Sequence, residues 1–74
     1  MIDFSRIEKD TFTPRELEIM SLIGEGYTNK VIASKLKVSN QVTKNYITRI
    51  YEKFLEKLNL DNHNLRVVIA QYMR

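Results

Sequence analysis

The side chains in this sequence that are best suited to chemistry follow Ser39, and their types are those that contact nucleic acid. Lysine donates to guanine O6 and N7, and asparagine pairs through its amide with adenine. Apolar residues in this segment recur at intervals of three and four, which predicts one amphipathic helix. With Ile47, Ile50 and Phe54 turned inward, the residues that face outward are Gln41, Lys44, Asn45, Thr48 and Arg49.

The net charge of +3 is unevenly divided along the chain. Residues 1–25 carry three basic and six acidic side chains, whereas residues 26–53 carry six basic side chains and one acidic side chain. No acidic residue occurs between Gly26 and Tyr51. A solvated surface usually mixes both signs, so this basic block favours a polyanionic partner such as nucleic acid.

Length and composition exclude several classes of protein. A chain of 74 residues forms one small domain with a modest core. It has no cysteine, and therefore no disulfide, thiolate metal site or thiol nucleophile. The sequence has no nucleophile–base pair, no glycine-rich phosphate loop, and no second ligand to accompany the single His63. We therefore expect neither an enzyme nor a protein with a metal, a cofactor or a small-molecule ligand.

The sequence also lacks the apolar runs that membrane insertion requires. No run approaches about 20 residues, and the N-terminus carries acidic residues where a signal peptide is apolar. We expect a soluble cytoplasmic protein with no membrane partner, associated with the nucleoid when it is bound to DNA.

Capping residues and apolar spacing predict four helices. Thr13 precedes a proline and lies three residues before Glu16, the pattern of a capping box, and we expect Glu16 itself to lie at the surface. Thr28 and Ser39 are the expected N-caps of the next two helices. No segment has the pattern of a strand. The prediction is an all-α, compact four-helix domain over 13–74 after an N-terminal arm over 1–12, with helices at about 14–25, 29–36, 40–58 and 63–73.

The second and third predicted helices have the arrangement of a helix-turn-helix. They are joined by about three residues, and a serine cap starts the later helix. Ala33 has to be small because the two helices cross closely there, and Lys37 stands in the turn where glycine is common. The later helix of such a motif lies in the major groove of DNA. The outward residues of the third helix would then meet base edges.

A set of residues spread over roughly 12–70 ties this motif to a known family. The set consists of Thr13-Pro14-Arg15-Glu16, Asn29-Lys30-Val31-Ile32-Ala33, Leu36, Val38-Ser39, Lys44, Ile50 and Lys53. Through these residues the chain resembles the LuxR/GerE type of helix-turn-helix domain. The resemblance implies a four-helix fold whose third helix reads DNA and whose fourth helix can pair subunits. Outward position and resemblance together lead us to predict base reading by Lys44, Asn45, Thr48 and Gln41.

The chain departs from the family's pattern in three places. The family usually has threonine and then valine before the recognition lysine, whereas here the order is Val42-Thr43, which removes one hydroxyl from the expected phosphate contacts. Tyr46 stands where histidine is common. About four additional residues lie near 54–57, so the dimer geometry and the spacing of DNA half-sites stay open.

Two groups of residues are predicted to bind phosphates. Thr28, Asn29 and Lys30 lie at the start of the second helix, where free N–H groups and the helix dipole favour an anion. The other predicted phosphate contacts are Ser39, Val42, Arg49 and Lys53.

The predicted function is that of a sequence-specific regulator of transcription that binds double-stranded DNA as a homodimer. A core this small leaves apolar surface to cover, so the predicted dimer interface lies on helix four, at Leu65, Val68, Ile69 and Tyr72. Two alternatives stay open. One is a promoter-reading domain like that of a sigma factor, which would also contact RNA polymerase. The other is a helical adaptor that binds a protein and uses its basic block for solubility alone.

Overall fold

The computed structural model describes residues 2–58, 60 and 64–74. Within these residues the secondary structure is helical and includes no strand, so the predicted all-α class is confirmed. A short 3₁₀ turn, Phe4–Arg6, precedes four helices. These are α1 at Pro14–Gly24, α2 at Asn29–Leu36, α3 at Asn40–Lys57 and α4 at Leu65–Tyr72.

Side-chain caps start the first three helices where the sequence predicts them. The Thr13 hydroxyl accepts from the Glu16 N–H at 3.1 Å, and the Glu16 carboxylate accepts from the Thr13 N–H at 2.9 Å, which completes the capping box. The Thr28 hydroxyl accepts from an N–H of α2, and the Ser39 hydroxyl accepts from an N–H of α3. Each cap satisfies an N–H that the helix itself leaves without an acceptor.

Helix ends differ from the predicted bounds by one or two residues. α1 and α3 each end one residue earlier than expected, at Gly24 and Lys57. α4 begins at Leu65 because Asn64 is its N-cap and accepts from the Arg66 N–H at 3.0 Å. The predicted start at residue 63, and with it His63, lies outside the described residues.

The core lies between α1, α3 and α4 and extends to α2. α4 packs chiefly against α1, while α3 packs against both α2 and α1. The Phe54 ring lies 5.1 Å from the ring of Phe12 and 5.5 Å from that of Tyr72, measured between centroids. The remaining buried apolar side chains are Ile19, Met20, Ile23, Ile32, Ala33, Ile47, Ile50, Leu58, Val68 and Ile69.

The N-terminal segment, predicted as an arm over 1–12, packs onto this core. The Phe4 ring meets the Tyr72 ring edge to face at 5.3 Å, and Ile2 and Ile7 are partly buried against the core. Their spacing follows no helical or strand period because the segment bends at Phe4–Arg6. The division of the chain into an arm over 1–12 and a domain over 13–74 stays a prediction.

The turn between α2 and α3 holds Lys37 in the left-handed region, with φ 57° and ψ 42°. The Lys37 N–H bonds to Ser34 O at 3.2 Å, and the Val38 N–H bonds to Ala33 O at 3.0 Å. Glycine is the usual residue here because a Cβ is disfavoured in this conformation. Ala33 is buried at the helix crossing, as its small size predicts.

Candidate nucleic-acid interface

The first half of α3 presents a polar surface on one side and the core on the other. Thr43, Ile47 and Ile50 face inward and are buried. Thr43 is a polar residue in this buried row, and its hydroxyl donates to Ser39 O at 3.1 Å. The structure places together, exposed on the outer side, the predicted base readers Gln41, Lys44, Asn45 and Thr48, with Arg49 beside them.

Two of these outward amides already contact each other. Gln41 Nε2 donates to Asn45 Oδ1 at 3.0 Å across one helical turn. Both side chains are exposed, so exchanging this hydrogen bond for one to a base costs little. The hydrogen bond leaves the Gln41 carbonyl oxygen and the Asn45 NH₂ without a partner from this contact, and once the bond is exchanged either amide offers the donor and acceptor that read an adenine edge.

Lys44 and Arg49 keep their charges exposed on α3. The Arg49 guanidinium lies 5.9 Å from the centroid of the half-buried Tyr46 ring, which steadies it beside the helix. Across the described residues, ion pairs join Arg15 to Glu18 and Lys53 to Glu16, and neither uses a cation of this surface. Its positive charge is therefore available to an external anion.

Val42 is a poor phosphate ligand, which corrects the prediction at this position. Its side chain is 39% exposed but has no donor. Its backbone N–H is already bonded to Ser39 Oγ at 3.1 Å. Ser39 differs, because its hydroxyl accepts this bond and still has its own hydrogen to donate.

The start of α2 places Thr28, Asn29 and Lys30 beside an arginine that sequence reasoning missed. Arg66 of α4 donates through Nη1 to Asn29 Oδ1 at 2.7 Å and through Nη2 to Tyr27 O. A guanidinium has only N–H groups to offer, so the Asn29 amide must present its oxygen, which leaves its NH₂ as the group able to donate to a phosphate. No sequence signal links residues 37 positions apart in this way.

Two of the three N–H groups of the Lys53 ammonium are used within the domain, which disfavours the predicted phosphate contact. Its ammonium lies 2.6 Å from Glu16 Oε1 and 2.9 Å from Thr11 O. Glu16 is 3% exposed, not a surface residue as expected, because α3 and the N-terminal segment cover it. Burial opposes ionisation of Glu16, but hydrogen bonds from Lys53 and from the Thr13 N–H outweigh it, so the pKa of the carboxyl lies below its ordinary value.

Comparison with known proteins decides the family. The model of the GerE family, described as bacterial regulatory proteins of the luxR family, matches residues 10–70. The chain belongs to the LuxR family. The helix-turn-helix of this LuxR-family chain thus lies wholly inside the matched region.

Several regulators are similar in sequence to this LuxR-family chain. A probable transcriptional regulator of Cyanophora paradoxa is 40% identical over 45 residues, which cover 61% of this chain and 21% of that protein. The transcriptional regulatory protein LiaR of Bacillus subtilis is 39% identical over 61 residues, which cover 82% of this chain and 27% of that protein. ComA of the same organism is 34% identical over 67 residues, which cover 90% of this chain and 29% of that protein. No solved structure matches.

The chain therefore spans between a fifth and a third of the length of these relatives. Their names describe regulators of transcription, in agreement with the expectation that the chain is not an enzyme. In the described part of the LuxR-family chain, no three metal-ligating side chains come together, and no helix is long and apolar enough to cross a bilayer.

The predicted dimer residues of α4 divide between core and surface. Val68 and Ile69 are buried against the rest of the LuxR-family domain, so they are removed from the predicted interface. Leu65 and Tyr72 are half-buried, and the Tyr72 ring belongs to the aromatic cluster of the core. Val67, which the sequence reading left out, is 51% exposed and points away from that core. Helical spacing alone does not tell which apolar stripe a domain buries.

Proposed function

We propose that this LuxR-family chain binds double-stranded DNA and regulates transcription, with the first half of α3 in the major groove. The observation that carries the proposal is the exposed, acid-free surface of α3 at Gln41, Lys44, Asn45 and Thr48. The opposite side of the same helix is fixed in the core, so these side chains can reach a ligand without any unfolding.

The dimensions of α3 suit this placement. Residues 40–49 of the helix extend about 15 Å, and a helix fits within a major groove that is roughly 12 Å wide. In this pose, Lys44 donates to guanine, and Asn45 with Gln41 pairs with adenine. Thr48 contacts a base edge one turn further along.

Phosphates on either side of the groove would hold the domain in register. Arg49 lies on one side of α3, and Ser39 lies at its start. The start of α2 contributes Thr28, Asn29 and Lys30, where N–H groups and the helix dipole add to the positive charge. These contacts carry affinity without sequence preference, whereas the base contacts carry specificity.

We also propose that two copies pair on DNA through the outward side of α4. Val67 is half exposed on this side of the helix, whereas Leu65 packs partly against the core. A two-fold symmetric contact would cover Val67 of both copies at once. The site of action would then be the nucleoid of the cytoplasm, with two half-sites in the DNA.

Selection of bound sequences from a random pool of duplexes tests the proposal. A shared motif, with a half-site repeat if two copies pair, is the expected result. Titration of the selected duplex should give a log–log salt slope of about −5, as expected for about six phosphate contacts. An adaptor protein would enrich no motif and show almost no salt dependence, and that outcome would reject the proposal. A promoter-reading domain like that of a sigma factor would instead enrich one unpaired element.

A further inference from the structure

Glu16 and Lys53 join three segments of the domain that are distant in the chain. The Lys53 ammonium, from the second half of α3, lies 2.6 Å from the carboxylate of Glu16, in the first turn of α1. It also donates to Thr11 O at 2.9 Å, just before α1, and lies 5.6 Å from the centroid of the Phe12 ring. One side chain of α3 is thereby fixed to both α1 and the N-terminal segment.

This ion pair is directional, whereas the apolar contacts around it are not. Ile47, Ile50 and Phe54 fill the core by apolar packing, which sets no bond angle of its own. A charged hydrogen bond depends on both distance and angle. Because Glu16 is 3% exposed, a rotation that separates the pair would leave a buried carboxylate without its counter-ion. The pair therefore opposes rotation and sliding of α3.

The base-reading surface lies on the same rigid helix, about 13 Å along the axis from Lys53 to Lys44. A rotation of about 10° would move a side-chain tip at a radius of about 6 Å by roughly 1 Å. Binding contacts have to be held within about 0.5 Å to be effective. A small rotation of α3 would therefore weaken base contacts while hardly changing the spread of positive charge that phosphates meet.

We propose that the Glu16–Lys53 pair is a positioning pair, which sets the rotation of α3 and thereby the fidelity of base reading without touching DNA. This inference rests on the proposed function, because it concerns how the same surface discriminates between sequences. It predicts that the pair controls the ratio of affinities for selected and random duplexes, and not affinity in general.

The test compares two double variants that each remove one positive and one negative charge. E16Q/K53M abolishes the positioning pair, and its glutamine can still accept from the Thr13 N–H in the capping box. R15M/E18Q abolishes the exposed pair on the same helix α1, where Arg15 Nη1 lies 2.9 Å from Glu18 Oε1. Replacing both members of a buried ion pair together is often close to neutral for stability, and an exposed pair contributes little, so both variants are expected to fold.

Binding of the whole chain to its selected duplex and to a random duplex is then measured beside the melting temperature. For E16Q/K53M we expect the affinity ratio to fall about tenfold, which equals about 1.4 kcal/mol and the weakening of one base contact. Affinity for random duplex should stay the same, and R15M/E18Q should change neither value. An unchanged ratio in a folded E16Q/K53M variant would overturn the inference, as would equal losses on both duplexes.

If E16Q/K53M does not fold, the single variant E16Q tests the inference. It keeps an acceptor for Lys53 and for Thr13, but a neutral acceptor makes a bond roughly half as strong as a carboxylate does. The ratio should then fall about threefold, and no fall would reject the inference. Failure of the proposed function looks different, because the wild-type chain itself would then select no sequence.

Discussion

The two halves of α3 each carry a lysine, and the two lysines differ in what they contact. Lys44, in the first half, is exposed and lies on the outer surface of the helix. Lys53, nine residues later on the same helix, is bonded to Glu16 and Thr11 inside the domain. The Lys44 ammonium is thus exposed to solvent, whereas the Lys53 ammonium ties α3 to α1 and to the N-terminal segment. Residue type alone does not assign a role to a basic side chain.

The largest effect that separates the two halves should come from the aromatic core of the second half. Phe54→Ala removes a ring that is fully buried against Phe12 and Tyr72, and we expect the free energy of unfolding to fall by about 3–5 kcal/mol. The neighbouring Leu55 is 49% exposed, so Leu55→Ala should cost less than about 1 kcal/mol. Urea denaturation of both variants measures the difference. Similar losses for the two would mean that Phe54 is not the residue that anchors the second half of α3 in the core.

Replacement by alanine should destabilise the domain at Lys53 and hardly affect its stability at Lys44. Lys53→Ala leaves the buried Glu16 carboxylate without its counter-ion and should lower the free energy of unfolding by about 2 kcal/mol, less than for a fully buried pair because the lysine side chain is 32% exposed. Lys44→Ala should change stability by less than about 0.5 kcal/mol. Thermal denaturation of both variants measures this difference in stability. A destabilising Lys44→Ala would show that the first half is not a free surface.

A smaller change, this time a gain in the free energy of unfolding, is expected from a substitution in the turn that precedes α3. Lys37→Gly relieves a left-handed residue of its Cβ and should raise the free energy of unfolding by about 0.5–1 kcal/mol, after allowing for the greater freedom of glycine in the unfolded chain. Lys35→Gly, two residues earlier in the last turn of α2, removes the same charge but should lower stability by about 1 kcal/mol. A loss in both variants would contradict the role assigned to the turn.

Features that depend on neighbouring residues could be predicted from the sequence. The caps at Thr13, Thr28 and Ser39 were found because a cap and its helix lie within four residues of each other. The outward surface of α3 was found because one long periodic helix fixes which side is apolar. The structure departs from the sequence-based predictions where residues contact segments that are distant in the chain. Arg66 and Lys53 form hydrogen bonds with groups 37 or more residues away, and no local sequence pattern predicts those partners.

The central claim is that the outer surface of α3 reads bases while the start of α2 holds phosphates. The most direct measurement is the affinity of Lys44→Ala, Asn45→Ala and Lys30→Ala for the selected duplex and for random duplex, at two salt concentrations. The first two variants should lose about 1–3 kcal/mol on the selected duplex and much less on random duplex. Lys30→Ala should lose equally on both and reduce the salt slope by about 0.9. Equal losses on both duplexes for all three variants would contradict base reading by Lys44 and Asn45.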